Sequence, residues 1–260
     1  MRQRRASSGN GSGDGRSVLA GVHPVASALE RAPEGLRLLI VADECRNPRV
    51  RELEQQAREL GVPVRGEPRA VLDRRCDGER HQDVIAEFEA ANLHGEKDLD
   101  RLLDGLPRPE LLLVLDGVQD PHNLGACLRS ADAAGVGLVI LTRDRSAGLT
   151  PVARRAAAGA AETLPIVAAT NLARVLKQLR QRGIWLMGTT DGAETSLYEA
   201  ELGCPLALVV GGEGKGMRRL TAELCDYRLR IPMHGAVSSL NVSVATAVCL
   251  FEIRRQRGDA

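Results

Sequence analysis

From residue 111 onward the chain alternates short, continuously apolar runs with amphipathic stretches, and this alternation leaves few folds open. Leu111–Leu115, Gly137–Leu141, Leu164–Val167, Ile184–Gly188, Leu206–Val210 and Tyr227–Ile231 read as strands, the last interrupted by Arg228 and Arg230. Between them, Leu124–Ala134, Pro151–Ala158, Leu172–Arg182, Met217–Leu224 and Leu240–Arg255 read as helices. Thr150-Pro151 supplies a cap followed by proline at the first helical position. Gly135, Gly159 and Gly183 each fall where a helix should stop. Such alternation predicts an α/β domain whose parallel sheet is covered on both faces. Ligands of such sheets sit at the carboxyl ends of the strands.

The first half is organised differently. Residues 1–16 are rich in Arg, Ser and Gly and too polar to pack, which predicts a disordered basic arm. Gly21–Leu29 opens a helix, Leu36–Val41 is an apolar strand, and Val50, Leu53, Ala57 and Leu60 recur at helical spacing before Gly61-Val62-Pro63-Val64 resumes an extended run. Residues 17–90 therefore form a small α/β domain. Residues 91–109 are polar and acidic, with a short helical patch near Leu99–Leu106, and fit a linker to the second domain, 110–260.

Composition removes several functions. Residues 17–107 carry 13 basic and 18 acidic side chains, a balance of −5, whereas residues 108–260 carry 18 and 15, a balance of +3. A surface for a polyanion must therefore be local, on the second domain or the arm. Cys45, Cys76, Cys127, Cys204, Cys225 and Cys249 stand singly and no leader-like segment is evident, which predicts reduced thiols and a cytoplasmic location. The five histidines are dispersed, none with a second His or Cys at ligand spacing, so no metal site is expected. No apolar run is long enough to span a bilayer. Five aromatics (Phe88, Trp185, Tyr198, Tyr227 and Phe251) are too few for a base-stacking platform.

Three strand ends carry unusual residues. Leu111–Asp116 runs into Gly117-Val118-Gln119-Asp120-Pro121-His122-Asn123-Leu124-Gly125, with Asn123 read as a helix cap and Arg129 six residues beyond it. Leu206–Val210 feeds Gly211-Gly212-Glu213-Gly214-Lys215-Gly216-Met217. The third is Ile231-Pro232-Met233-His234-Gly235-Ala236-Val237-Ser238-Ser239-Leu240-Asn241, where Ser238–Ser243 packs three hydroxyls and an amide ahead of a helix that needs one cap. The glycine loop is not a P-loop, because Val209 stands where the first glycine should be and Gly216 where the hydroxyl should be. Nor does it complete Gly-x-Gly-x-x-Gly, since Met217 occupies the last position. A nucleoside-triphosphate or dinucleotide site is disfavoured, while glycine still permits close backbone approach to some other ligand.

Together these segments resemble the signature motifs of the SpoU/TrmH branch of the SPOUT methyltransferases, and within it the bacterial 23S rRNA guanosine 2′-O-methyltransferases. The resemblance covers residues 17–257. It implies a C-terminal domain in which the chain threads through a loop as a trefoil knot, an exception to the rarity of knots. It also implies an L30e-like N-terminal module for RNA, carried by Gly21–Val25 and Arg80–Ala86, a homodimer, and S-adenosylmethionine as methyl donor. The donor-binding positions it implies are Gly211, Gly212, Glu213 and Gly214, then Ile231 and Met233, then Ser239, Leu240 and Asn241. Asn123, Arg129, Glu213 and Asn241 are the implied catalytic set. Arg129 acts either as proton acceptor or, less demandingly for so basic a group, as a clamp on phosphate and alkoxide. The expected substrate is 23S rRNA or an assembling large subunit. A tRNA methyltransferase and a catalytically silent RNA-binding protein are the alternatives. One departure stands out: the family has glycine after His-Gln, where this chain has Asp83.

Overall fold

The computed structural model describes residues 16–31, 33–76, 80–89 and 93–258, so the expected basic arm lies outside the described residues apart from Arg16. The N-terminal elements are β1 (Arg16–Ala20), α1 (Val22–Arg31), β2 (Leu36–Ala42), α2 (Pro48–Glu59), β3 (Val64–Glu67), α3 (Arg69–Arg75) and β4 (Val84–Glu89). They form a four-stranded sheet of order β1-β4-β2-β3 in which β4 runs antiparallel to β1 and β2. Alternate residues of β2 divide between two cores: Leu39 and Val41 face α1 and α2, while Ile40 and Ala42 join Leu72 of α3.

The second sheet has eight strands among the described residues, every pair of them parallel. Its elements are β5 (Leu93–Gly95), α4 (Leu99–Asp104), β6 (Leu111–Asp116), α5 (Pro121–Ala133), β7 (Leu138–Thr142), α6 (Pro151–Ala157), α7 (Ala160–Thr163), β8 (Ile166–Ala169), α8 (Leu172–Gln181), β9 (Trp185–Thr189), β10 (Thr195–Ser196), β11 (Leu206–Gly211), α9 (Arg219–Leu224), β12 (Tyr227–Arg230) and α10 (Val242–Gln256). The order is β10-β12-β9-β11-β6-β7-β8-β5. All six residues of β6 are buried. Leu111, Leu113 and Leu115 pack on the side of α5, α6 and α10, and Leu112 and Val114 on the side of α4 and α8. A strand that must satisfy two apolar layers has no polar face, which is why these runs are continuously hydrophobic.

The segment expected to be a linker is largely structural. Leu93 pairs with Ile166, extending the second sheet, and Leu99 and Leu103 of α4 are buried against its core. Glu96 holds the arrangement: its carboxylate accepts the backbone N–H groups of Thr170 (2.6 Å) and Asn171 (2.7 Å) at the start of α8, and Arg174 Nε at 3.0 Å. A three-residue strand is too short to show periodicity, so the polar composition of 91–109 masked it.

Candidate active site

Sheet order brings the loaded strand ends together. β12, β9, β11 and β6 are consecutive neighbours; the carboxyl ends of the first three open on one cavity of about 190 Å³, and the loop after β6 packs beside it against the loop after β11. Its walls come from Thr189–Asp191 after β9, Gly211–Gly214 after β11, Leu229, Ile231 and Met233 on and after β12, and Ser239 and Leu240 ahead of α10. Eight of the nine expected donor-binding residues line it; Asn241 lies beside it, at the start of α10. A larger cleft of about 440 Å³ lies at the amino end of the sheet, beside Leu111, and Arg254 and Arg257 are among its walls. Arg254 there donates to the Gly135 carbonyl and Arg257 to those of Pro109 and Cys204, so these arginines bind backbone, and size alone does not mark the site.

The glycines earn their place by packing as much as by conformation. A Cβ on Gly211 would overlap the backbone of Gly216 and Met217, and one on Gly212 would overlap the Gly117 carbonyl. The loop after β11 thus folds flat against itself and against the loop after β6. Gly214 faces open space but has φ +74°, which favours glycine. Asp116, the last residue of β6, anchors the turn after the glycine loop of β11: its buried carboxylate accepts the Arg218 backbone N–H at 2.9 Å and Arg218 Nε at 2.6 Å.

Three sequence-distant segments are then joined by a line of hydrogen bonds. Asn123 Nδ2 donates to Glu213 Oε1 at 2.9 Å, and Asn241 Nδ2 donates to Asn123 Oδ1 at 3.0 Å. Asn241 Oδ1 in turn accepts the Ser243 N–H at 2.9 Å and caps α10. The other Glu213 oxygen accepts the Gln119 N–H at 3.1 Å. Burial pushes the Glu213 carboxyl upward. The bonds from Asn123 and from the Gln119 and Asp120 N–H groups outweigh it and hold the group below the usual range, so it is ionised at neutral pH.

Asn123 corrects the sequence reading in one respect. Helix α5 starts earlier than expected, with Pro121 at its first turn and Asp120 as the cap, whose side chain accepts the His122 N–H at 2.9 Å. Asn123 is released from capping and spends its amide on Glu213 and Asn241. Arg129 lies in the third turn of α5, six residues on, which places it about 9 Å along the axis and about 240° around it from Asn123. It is exposed, does not line the cavity, and makes no hydrogen bond or ion pair with any described residue. Asp132, the partner a surface ion pair would have used, accepts Thr163 Oγ1 at 3.2 Å. Cys127, on the inner side of the same helix, is pushed up to about 11 by burial and is no nucleophile. Among the described residues no group of three His, Cys, Asp or Glu side chains is placed to hold a metal ion.

Sequence reasoning missed four contributors. Asp116 and Gln119 stand inside a quoted motif, and the strand-end position of Asp116 was a usable signal. Arg218 and the Thr189–Asp191 turn had none, because only the sheet order places them here.

This geometry coincides with two sequence families. The SpoU rRNA Methylase family matches residues 110–251, and the RNA 2′-O ribose methyltransferase substrate-binding family matches residues 18–94. The chain belongs to the SpoU rRNA methylase family. A SpoU-type relative from Pseudomonas syringae pv. tomato, the 23S rRNA (guanosine-2′-O-)-methyltransferase RlmB, is 52% identical over 237 residues, 91% of this chain and 94% of its own length. The protein of the same name from Haemophilus influenzae is 53% identical over 238 residues, 91% of this chain and 96% of its own. Among solved structures, the SpoU methyltransferase AviRb from Streptomyces viridochromogenes, in complex with the cofactor AdoMet, superposes with a TM-score of 0.75 at 27% identity, covering 95% of this chain and 92% of that one.

The SpoU substrate-binding module also accounts for Asp83. The two motif pieces of the N-terminal domain meet, with the Val22 N–H donating to Gln82 Oε1 at 3.2 Å and the Gly21 N–H to the Val84 carbonyl at 3.0 Å. Asp83 has φ +67°, the left-handed region in which glycine is unstrained and aspartate is among the better-tolerated substitutes. Its carboxylate pairs with Arg69 at 3.1 Å, so the added charge is locally balanced.

Proposed function

We propose that this chain transfers the methyl group of S-adenosylmethionine to the ribose 2′-hydroxyl of a guanosine in 23S rRNA, free or in an assembling large subunit, and that it works in the cytoplasm as a homodimer. The four-stranded domain is the RNA-holding module and the eight-stranded domain, with the trefoil knot of its family, is catalytic. The observation that carries this reading is the hydrogen-bonded line Glu213–Asn123–Asn241 beside a cavity lined by two carboxylates and no Lys, Arg or His.

The cavity suits the donor. Leu229, Ile231, Leu240 and Val242 offer apolar wall for an adenosine, while Asp191 and Glu213 suit a cationic group and would oppose a phosphate. When bound there, S-adenosylmethionine supplies an electrophilic methyl group. The chain's own residues do the rest. Glu213 fixes the Asn123 amide, and Asn123 fixes Asn241, so two carboxamides are held in one geometry, each with one further N–H for a substrate atom. Such alignment of hydroxyl and methyl accounts for much of the rate. Arg129, exposed and unpaired among the described residues and outside the cavity, is the cation that grips the RNA phosphate and so positions the ribose, with RNA lying across α5.

The dimer is supported by α10. Val244 is 48% exposed and Phe251 52%, seven residues apart on one helical stripe with Val248 half-buried between them. The full reading is tested by incubating the protein and methyl-labelled donor with 23S rRNA and tRNA from cells lacking the enzyme, then mapping ribose methylation. Label at a single 23S guanosine is expected. Label in tRNA, or none in either, would overturn the assignment.

A further inference from the structure

We propose that Asp191 is a specificity-determining residue that makes the site prefer the charged donor over its uncharged product; this rests on the donor-site reading above. Asp191 stands in the turn after β9, whose strand lies between β12 and β11. The turn is fixed from both sides. The Thr190 N–H donates to the Leu229 carbonyl at 2.9 Å, Thr189 Oγ1 to the Val209 carbonyl at 3.4 Å, and the Ala193 N–H closes the turn on the Thr190 carbonyl at 3.3 Å. Asp191 lines the cavity, and its carboxylate makes no hydrogen bond or ion pair with another described residue. Glu213, from the loop after β11, is the cavity's other carboxylate and is committed to Asn123 and Gln119. The uncommitted negative charge in the cavity is therefore that of Asp191.

The reaction removes a positive charge from this place. The S–CH₃ bond breaks with its electron pair remaining on sulfur, the O–CH₃ bond forms, and the hydroxyl proton passes to solvent water. The sulfonium becomes a neutral thioether, while the adenosine and the amino-acid moiety are unchanged. A contact to either of those, the α-ammonium included, would hold donor and product alike; attraction of a carboxylate to the sulfonium charge favours the donor alone. At about 7 Å and a largely solvated effective dielectric near 50, one elementary charge contributes roughly five-fold in affinity. Transfer of the methyl group thereby weakens the hold on the product and promotes its release.

Calorimetry on the full chain with S-adenosylmethionine and S-adenosylhomocysteine tests this. Asp191→Asn should weaken S-adenosylmethionine about five-fold and leave S-adenosylhomocysteine within two-fold, while Asp191→Glu should preserve the wild-type ratio. Equal weakening of both ligands would mean a contact to a shared moiety and would overturn the proposal, as would unchanged affinity for both. Wild-type protein binding neither ligand would overturn the donor-site reading itself, and this proposal with it.

Discussion

Replacing Asn123 by aspartate changes one atom type in the hydrogen-bonded line and reverses its electrostatics. Asn123 Nδ2 donates to Glu213 Oε1 at 2.9 Å; in Asn123→Asp that donor becomes a second carboxylate oxygen facing the first. The lost charge-assisted bond amounts to about 1.5 kcal/mol, the low end of its range because the pair is accessible to water. Repulsion between carboxylates about 4 Å apart adds about 1 kcal/mol near the aqueous limit. The expected loss at neutral pH is about 2–3 kcal/mol. The Asn241 side keeps an acceptor, so the damage stays at Glu213.

The pH dependence separates this account from a general loss of packing. In the wild type the Glu213 carboxyl lies below its ordinary 4.5, burial being outweighed by its hydrogen bonds. Its stabilisation is present above that ordinary value and is lost as pH falls through the folded-state value. In Asn123→Asp two carboxylates share the site, one of them is held above the usual range, and the penalty is relieved as pH falls through that raised value. Urea unfolding at about pH 7.5 and about pH 5 should therefore show the variant recovering stability relative to the wild type at the lower pH. Asn123→Ala, which loses both side-chain bonds without repulsion, should show no such recovery. A deficit in Asn123→Asp that is absent at pH 7.5, or equal at both pH values, would refute the reasoning.

Arg129→Ala should lower methyl transfer at least about a hundredfold, a barrier increase of about 3 kcal/mol, with fold and donor affinity unchanged; Arg129→Lys should rescue poorly, and single-turnover methylation of rRNA at saturating donor measures both. Arg218→Ala removes the guanidinium from the buried Asp116 carboxylate and should cost about 1.5–3 kcal/mol in urea unfolding, with weaker donor binding because the turn after the glycine loop loses its anchor. The double change Val244→Glu and Phe251→Glu should shift the protein to monomer in light scattering without lowering its melting temperature; an unchanged dimer would move the interface elsewhere.

The class of fold was legible because a strand buried on two faces must be apolar throughout. Leu111–Leu115 and Leu206–Val210 announce themselves in this way, and all six strands read from the alternation are present as β6, β7, β8, β9, β11 and β12, although β12 buries only Leu229 fully. The strands that escaped, β5, β10, β1 and β4, are two or three residues long or lie in a mixed sheet, where neither periodicity nor a continuous run stands out. The residue types of the site were legible too, since Glu213, Asn123 and Asn241 stand at strand ends where an ordinary junction needs no such density of polar groups.

What no linear reading held was their relation to one another. Glu213 lies 90 residues from Asn123, and Asn241 118 residues from it, yet hydrogen bonds of 2.9 and 3.0 Å join them because β11 pairs with β6 in register and α10 packs on α5. The same packing freed Asn123 from capping, set Arg129 on the outer face of α5, and brought Asp191 from the turn after β9 to the cavity wall. Hydrophobic pattern is a local property and is written along the chain; strand order is a contest among long-range pairings of nearly interchangeable apolar strands, and only the packed structure decides it.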